Sequence, residues 1–336
     1  MPVGNRLCRK VRRQKHRIQD FRTLNMATFD LNGIPQIRLG PIKWLTSPMR
    51  ASLENAVSRY RGCRWRIRDE RDLSEFACHH CAIVADGSFA VFFKYNEAAE
   101  ARRQFEVELD GLQTLANKAG VLIPQPIDIV PVEEGLLLVM EALEAVERGD
   151  HQWKQMGATL ARIHCVKGTC HGYETNGYFG PLEQDNKPAQ NWTTFFRERR
   201  LLPLVKTALD SGNLPSAVVS DVEDLTTRLS ELCGPDPVPV LLHGDAQQNN
   251  FISTAAGAFV IDPAVYYGSA ETDLALIDSF QPVPEAFFDG YREELPIDSG
   301  FSERRDLWRI PLYLAAVAHE GPMHLNRLID ALKTYL

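Results

Sequence analysis

A short polar segment in the last third of the chain carries the residue types that phosphoryl transfer needs. The tripeptide His243-Gly244-Asp245 follows an apolar run, and Asn250 and Asp262 come after it. Phosphoryl transfer requires a carboxylate that orients the attacking hydroxyl and accepts its proton, and oxygen ligands that hold Mg²⁺ against the nucleotide phosphates. The pattern therefore predicts Asp245 as the catalytic base and Asn250 and Asp262 as magnesium ligands. His243 is interpreted as an organiser of the loop rather than as a base.

The elements around this segment should bring its polar side chains together. The apolar run Val238–Leu242 precedes the tripeptide, and two short strands, at Phe251-Ile252 and Phe259–Ile261, separate Asn250 from Asp262. Because a hairpin returns the chain to its starting point, we expect these side chains at one end of a small sheet. The simpler alternative is that the tripeptide is only a turn, since such a tripeptide arises by chance. The ordered set of apolar strand, tripeptide, Asn250, hairpin and Asp262 is far more specific than the tripeptide alone and favours a phosphoryl-transfer site.

Two residues upstream could complete a nucleotide site. Lys94 is predicted to end a strand, Val91–Lys94, and a long helix follows that contains Glu108. Kinases place a lysine that grips the α- and β-phosphates on such a strand, and a glutamate of the next helix orients it. Taken singly, each residue would be an ordinary surface charge. Glu106 is a rival for the glutamate role, although it points to another side of the helix.

The hydrophobic patterns divide the chain into a strand-rich and a helix-rich lobe. Together with the kinase-like order of Lys94, Glu108, Asp245, Asn250 and Asp262, they predict a bilobal α+β protein-kinase-like fold. Residues 49–143 should form a nucleotide-binding lobe, a small, mostly antiparallel sheet with one helix packed on it. Residues 144–336 should form a mainly helical catalytic and substrate lobe. Between the lobes, Glu141 and Leu143 lie where a hinge would offer backbone groups to adenine.

The predicted elements of the first lobe are the helix Ser52–Tyr60, the strands Ala82–Val84 and Phe89–Phe93 joined by an Asp86-Gly87 turn, the helix Ala98–Ala119 and the strand Leu136–Met140. The predicted helices of the second lobe are Gln152–His164, Trp192–Leu209, Ala217–Leu232, Asp273–Phe280, Pro284–Glu294, Arg304–Glu320 and Leu325–Leu336. A non-helical island, Val238–Tyr267, interrupts them and contains the polar segment.

Composition excludes several classes of protein. The 336 residues are 44% hydrophobic and 24% charged, and the net charge is −7, which argues against a general nucleic-acid binder. No apolar run approaches the roughly 20 residues of a membrane helix. Seven scattered cysteines indicate a reducing, cytoplasmic setting rather than a disulfide framework. Composition does not indicate an oligomeric state.

Two other segments suggest alternatives of their own. Residues 1–48 form a basic extension that we expect to be disordered, or to precede a true start at Met26 or Met49. The run from Cys78 to Cys81, with two histidines between its cysteines, looks like half of a zinc site. Without a second ligand pair, we expect no metal there.

The sequence as a whole resembles the fructosamine kinase (ketosamine-3-kinase) family, a relative of the aminoglycoside and choline phosphotransferases. Three stretches from Met49 onward carry the resemblance: the His243–Asn250 loop; Ile261–Gly268 with Glu271–Ala275 after it; and Trp192–Pro203 with the preceding Gly177–Leu182 loop. The resemblance implies ATP and Mg²⁺ as cofactors. It also implies phosphorylation of a sugar hydroxyl on a fructosamine or ribulosamine, either free or protein-bound. The phosphorylated product is unstable and releases its amine, which amounts to deglycation.

The chain departs from the family pattern at two places. The family's nucleotide loop is rich in glycine, which lets the backbone approach phosphates, but Ser74–His80 contains none. In the polar segment the family usually has Leu-Trp-Ser-Gly, and this chain has Ala246-Gln247-Gln248-Asn249. Two alternatives therefore stay open: a related phosphotransferase of the aminoglycoside or choline type, and a degenerate nucleotide-binding pseudokinase. Cys78 lies near the place of a redox-sensitive cysteine in some members.

Overall fold

The computed structural model describes residues 41–76 and 79–336. The basic residues at the start of the chain and Cys78 lie outside the described residues. Within the described residues, no helix is both long enough and apolar enough to cross a membrane. The chain folds into a sheet-containing first lobe and a mainly helical second lobe, as the sequence predicts.

The first lobe is a five-stranded antiparallel sheet with one helix on each face. Its strands are β1 (Asp69–Asp72), β2 (His80–Ala85), β3 (Ala90–Asn96), β4 (Pro126–Val132) and β5 (Gly135–Glu141), in the spatial order β1-β2-β3-β5-β4. Its helices are α1 (Ser47–Arg61) and α2 (Ala101–Ala119).

Strand β5 shows why the sheet needs two helices. Leu137 and Val139 join the core on which α1 packs, whereas Leu138 and Met140 join the core beneath α2. Because successive side chains of a strand point to opposite faces, an uninterrupted apolar strand needs cover on both sides. The prediction of a single packed helix was therefore wrong.

The start of the lobe also differs in detail from the prediction. Ile42 and Leu45 are buried in the core of the first lobe, and α1 begins at Ser47, with Thr46 capping it through a 3.3 Å bond to the Met49 N–H. Tyr60, the last residue of the predicted helix, is 42% exposed.

Two strands of the sheet were missed because neither shows an apolar alternation. Strand β1 consists of four charged residues, and its pairing with β2 comes from tertiary context. Strand β4 contains Pro126 and Pro131 and lies at the edge of the sheet, the position at which proline is tolerated. Strand β3 continues past Lys94 to Asn96, so Lys94 lies inside the strand rather than at its end.

The second lobe contains the helices α3 (Asp150–His164), α4 (Trp192–Phe195), α5 (Leu202–Asp210), α6 (Ser216–Thr227), α7 (Leu229–Leu232), α8 (Ala270–Leu276), α9 (Glu285–Arg292), α10 (Phe301–Glu320) and α11 (Leu325–Lys333). A π-helical turn, Phe196–Leu201, joins α4 to α5, so the predicted helix over this region is continuous but locally widened.

The non-helical island forms short antiparallel pairs. They are built from β8 (Val240–Leu242), β9 (Phe251–Thr254), β10 (Gly257–Val260) and β11 (Tyr266–Gly268), while β6 (Gly177–Phe179) and β7 (Leu182–Gln184) form a separate hairpin. Strand β11 pairs with β8, and this pairing was not predicted from the sequence. Because β8 leads into His243, the pairing returns the chain to the polar segment shortly after Asp262.

Helix α2 contacts both lobes. At Gly111 it approaches the segment after Asp262 so closely that an added Cβ would lie 3.1 Å from Pro263 Cγ and 3.6 Å from both methyl groups of Val265. A β-carbon here would require Pro263 to give way by a few tenths of an ångström, so the packing at Gly111 is close. Because Glu108 lies one turn earlier on this helix, the contact also determines where Glu108 is held.

We predict that Gly111→Leu lowers both stability and the rate of phosphoryl transfer. The added side chain must displace Pro263 or tilt α2, and overpacking of this kind costs about 1–3 kcal/mol of unfolding free energy. Thermal denaturation and steady-state kinetics would measure the two effects. Gln113→Leu, on the exposed face of the same helix, is the matched control. Equal behaviour of the two variants would contradict the prediction.

Candidate active site

Lys94 lies at the centre of the site, between two carboxylates. Its Nζ donates to Glu108 Oε1 at 2.7 Å and to Asp262 Oδ1 at 2.5 Å. Lys94 comes from β3, Glu108 from α2 and Asp262 from the second lobe, so one ammonium group joins three elements and both lobes. The rival glutamate, Glu106, is exposed and pairs with Arg102 at 3.6 Å.

The electrostatics of this cluster follow from burial and from its charge ratio. Burial alone would lower the pKa of Lys94, but the carboxylates of Asp262 and Glu108 outweigh it and raise that pKa. Burial raises the pKa of Glu108 against the opposing effect of Lys94. One lysine cannot fully neutralise two carboxylates, so the cluster is able to accept additional positive charge.

Asp262 has an unusual backbone conformation. Its φ is 54°, and among residues 41–76 and 79–336 it is the one non-glycine residue with a positive φ. Left-handed geometry costs an ordinary L-residue about 1–2 kcal/mol, although aspartate tolerates it better than most. The chain turns here after β10, and this turn directs the carboxylate towards Lys94. Such strain often marks a functional position.

Both oxygens of the Asp245 carboxylate accept hydrogen bonds from side-chain amides. Gln247 Nε2 donates to Oδ1 at 2.7 Å, and Asn250 Nδ2 donates to Oδ2 at 2.9 Å and to the Asp245 carbonyl at 2.8 Å. Since the amide nitrogen of Asn250 faces Asp245, its amide oxygen points away and could act as a metal ligand.

The pKa of Asp245 is raised to about 7. Burial is the main cause, and the nearby carboxylates of Asp262 and Asp273 add to it. The hydrogen bonds from Gln247 and Asn250 stabilise the charged form and limit the rise. A carboxylate that titrates near neutrality is suited to take a proton from a hydroxyl during phosphoryl transfer.

His243 has the geometry of a structural residue. Its ring is completely buried, its Nε2 lies 3.0 Å from the Ile261 carbonyl, and its Nδ1 accepts the Asp245 N–H at 3.3 Å. These partners assign the neutral tautomer with the proton on Nε2. Burial lowers the pKa of the ring, which keeps it neutral. His243 therefore links the polar segment to the strand that leads to Asp262.

Asp273 anchors the backbone of the same loop, a role that the sequence did not reveal. Its completely buried carboxylate accepts the His243 N–H at 2.7 Å and the Gly244 N–H at 3.0 Å. His164 Nε2 lies 3.2 Å away, and its Nδ1 lies 2.8 Å from the Tyr291 hydroxyl. Asp273 belongs to the Glu271–Ala275 stretch, so its position was noted but its function was not.

Arg148 holds the other end of the loop. Its Nη2 donates to the carbonyl of Gln248 at 3.1 Å and also to that of Phe251. Its side chain is largely buried, which lowers its pKa to about 10. Sequence patterns gave no signal for this contact because about 100 residues separate the partners.

The predicted hinge residues lie at the end of β5. The Glu141 N–H donates to the Gln125 carbonyl at 2.9 Å, and its side chain accepts the Tyr60 hydroxyl at 2.8 Å. The Glu141 side chain is thus bound at the protein surface to a residue of α1. In the part of the chain that the structure describes, the Leu143 N–H has no backbone partner. Leu143 is therefore able to offer its N–H to a ligand.

The glycine-free loop is only partly described. Ser74–Phe76 forms a single 3₁₀ turn, and the Ser74 hydroxyl donates to Asp72 Oδ1 at 2.6 Å. At the other end of the loop, burial lowers the pKa of His79, and the charge of Lys94 lowers it further.

The donor set fits Mg²⁺. Asn250 supplies an amide oxygen and Asp262 a carboxylate, and Mg²⁺ typically takes one or two carboxylates and completes its shell with water and phosphate oxygens. Residues 41–76 and 79–336 contain no group of three or more His, Cys, Asp or Glu side chains arranged to hold a metal alone. A cation at this site would therefore need oxygens from a second ligand such as a nucleotide.

Comparison with known proteins identifies relatives. The profile of the fructosamine kinase family matches residues 49–336. A protein named a probable ketoamine kinase, from Synechocystis, is 31% identical over 275 residues, which cover 80% of this chain and 89% of that protein. The ketosamine-3-kinase of Mus musculus is 30% identical over 263 residues, covering 69% of this chain and 83% of that protein.

Solved structures give the same result for the fold. A candidate fructosamine-3-kinase from Thermobifida fusca superposes with a TM-score of 0.73 at 28% identity, covering 84% of this chain and 98% of that chain. A thermostable mutant of an aminoglycoside phosphotransferase superposes with a TM-score of 0.58 at 14% identity, covering 84% and 99%. The prediction of a bilobal protein-kinase-like fold is therefore confirmed.

The raised pKa of Asp245 predicts that phosphoryl transfer slows as the pH falls through about 7. Only the ionised carboxylate can accept the hydroxyl proton, so protonation below this pKa removes the base. A profile of kcat/KM against pH, which reports groups of the free enzyme, should bend downward on its acid side near this value. A profile that stays flat to about pH 5, one unit above an ordinary aspartate, would contradict the prediction.

Asp273→Asn should lower kcat by up to about 100-fold, because misplacing a catalytic group by about 1 Å can cost that much. The substitution replaces one acceptor oxygen with an N–H donor that faces backbone donors. Losing hydrogen bonds to a charged group also costs about 1.5–3 kcal/mol of unfolding free energy. Asp278→Asn is the control, since Asp278 pairs with Arg305 and Arg309 away from the loop. If both variants lose stability but retain kcat, Asp273 does not organise the loop.

Proposed function

This chain belongs to the fructosamine kinase family, and we propose that it transfers the γ-phosphoryl group of ATP to a sugar hydroxyl of a ketosamine. Membership establishes a phosphotransferase that acts on a sugar hydroxyl. The ketosamine substrate, with a fructosyl or ribulosyl group on an amine, rests on the names of the relatives and on the family resemblance of the sequence.

The observation that carries the proposal is the arrangement around Asp245. Its carboxylate is held by two amides, its pKa is raised to about 7, and the charge of Asp262, which pairs with Lys94, contributes to that rise. A base poised near neutrality beside a set of phosphate and metal contacts is what transfer from a nucleotide to an alcohol requires.

In the proposed reaction, Asp245 accepts the proton of the acceptor hydroxyl as its oxygen attacks the γ-phosphorus. The new O–P bond forms while the bond between the γ-phosphorus and the β,γ-bridging oxygen breaks, and ADP leaves with that oxygen. Lys94, oriented by Glu108, would contact the α- and β-phosphates. Asn250 and Asp262 would hold Mg²⁺, which neutralises charge on the phosphates when bound.

The open hinge group supports nucleotide binding at the junction of the lobes. The Leu143 N–H and the backbone of Glu141 lie at the end of β5, where adenine would receive backbone hydrogen bonds. The Lys94–Glu108 pair at 2.7 Å further favours an active kinase over a degenerate one, since a lysine already oriented by its glutamate needs no rearrangement of α2.

We further propose a role in deglycation inside a reducing compartment. Phosphorylated ketosamines of the family are unstable and release their amine, which repairs the adduct. The described cysteines are all free thiols, in keeping with a cytoplasmic setting.

The proposal predicts that the protein phosphorylates a fructosyl- or ribulosyl-amine in the presence of Mg-ATP. Product formation would be followed by mass spectrometry of the sugar and by ADP release, across a panel that also includes an aminoglycoside and choline. Asp245→Asn should lower kcat by about 10²–10⁴-fold, the usual contribution of a general base.

The panel separates the candidate functions. Turnover confined to the aminoglycoside or choline would overturn the ketosamine assignment and favour a related phosphotransferase. A degenerate kinase would bind Mg-ATP but would phosphorylate no acceptor of the panel faster than the Asp245→Asn variant does.

A further inference from the structure

The Asp245 carboxylate accepts hydrogen bonds from two side chains, Asn250 and Gln247, which differ in their other interactions. Asn250 Nδ2 reaches both Oδ2 and the Asp245 carbonyl, and its amide oxygen is the proposed metal ligand. Gln247 Nε2 reaches Oδ1 at 2.7 Å, and this is the shorter of the two bonds to the carboxylate. In the described residues, the side chain of Gln247 has no other hydrogen-bond partner. Its contact with the base is therefore its distinctive interaction.

The backbone holds Gln247 in a position from which it can reach the base. The Gln247 N–H donates to the Asp245 carbonyl at 2.8 Å, and the Gln247 carbonyl accepts the Asn250 N–H at 2.9 Å. The residue is extended, with φ −66° and ψ 147°, and a single 3₁₀ turn, Gln248–Asn250, follows it. These two backbone bonds fix the main chain of Gln247 within the loop, so its side chain starts from a defined position beside the base.

The other titratable groups around Asp245 would not orient it in this way. Asp262 and Asp273 are carboxylates, and their charges oppose its ionised form. The ring of His243 is turned to the backbone, where Nδ1 accepts the Asp245 N–H and Nε2 faces the Ile261 carbonyl. Without Gln247, the Oδ1 atom of Asp245 would lose its amide donor, while the repulsion from Asp262 and Asp273 would remain.

We propose that Gln247 is a positioning residue, which holds the Asp245 carboxylate so that it presents a free lone pair to the acceptor hydroxyl. This inference rests on the proposed function, because it assigns Gln247 to the same transfer step. Nucleotide and acceptor would bind equally well without the contact, but the base would lose its orientation. A misplacement of about 1 Å at such a centre costs up to about 100-fold in rate.

Two substitutions at this position test the proposal. Gln247→Leu removes the donor and should lower kcat by about 10- to 100-fold. The KM values for ATP and for the ketosamine should stay within about twofold, since the lost interaction acts on the transition state. Gln247→Glu keeps the shape but places a carboxylate against Oδ1. In alkaline buffer, where both groups are ionised, we expect a larger loss than for leucine.

The neighbouring residue offers a matched control. The side chain of Gln248 donates to the Gln281 carbonyl at 2.9 Å and does not contact Asp245. Gln248→Leu and Gln248→Glu make the same chemical changes one residue away, and kcat should change by less than about threefold, as for a site outside the reaction. Thermal midpoints of all four variants would exclude loss of folding as the cause.

Several results would overturn the inference. Gln247→Leu with full kcat would show that the hydrogen bond is dispensable, and a raised KM with full kcat would show a binding contact instead. A milder effect of Gln247→Glu than of Gln247→Leu would indicate that shape alone matters. Equal losses at Gln247 and Gln248 would indicate general packing of the loop.

A second readout separates this inference from the proposed function. Slow transfer to water, followed as ADP release without an acceptor, also depends on the base. If no ketosamine is phosphorylated but ADP release falls in the order wild type, Gln247→Leu, Gln247→Glu, only the substrate assignment fails. If ketosamine turnover is present and both Gln247 variants match the wild type, only the positioning role fails.

Discussion

The charge of Lys94 is the interaction on which the site depends. A buried ammonium group is costly unless it is paired, and Lys94 is paired with Glu108 from α2 and Asp262 from the second lobe. The pairing therefore fixes the helix, the sheet and the second lobe relative to one another. If Asp262 binds a metal ion instead of Lys94, the bond to Glu108 still orients the lysine towards the phosphates.

The loop that carries the base depends on a second buried charge. The Asp273 carboxylate accepts hydrogen bonds from the His243 and Gly244 N–H groups, and Arg148 donates to backbone carbonyls at the other end of the loop. Removing one member of such a network leaves its partners buried and unpaired, which costs more than the bond itself contributes. Rigidity at both ends lets the short segment between them hold Asp245 and Asn250 accurately.

The sequence was most informative where chemistry, spacing and element order agreed. The sequence predicts Lys94, Glu108, Asp245, Asn250 and Asp262 as site residues. In the structure Lys94 pairs with Glu108 and Asp262, and Asn250 donates to Asp245. Glu108 was assigned with Glu106 left as a rival, since helical periodicity places the two on different sides of one helix but does not tell which side faces the lysine. The structure decides for Glu108, which pairs with Lys94, whereas Glu106 pairs with Arg102. Strand β1, strand β4 and the pairing of β11 were missed, since each depends on a neighbour distant in the chain rather than on its own residues.

By itself, the sequence determined the family, the two-lobed fold and the identity of the groups at the proposed catalytic end, because these depend on residue types at short, ordered spacings. Only the tertiary structure decided that Gln247 donates to the base, that Asp273 accepts backbone N–H groups of the loop and that Gly111 packs closely against Pro263. These contacts depend on side-chain direction and on distances between segments far apart in the chain. Neither quantity is encoded in a local pattern.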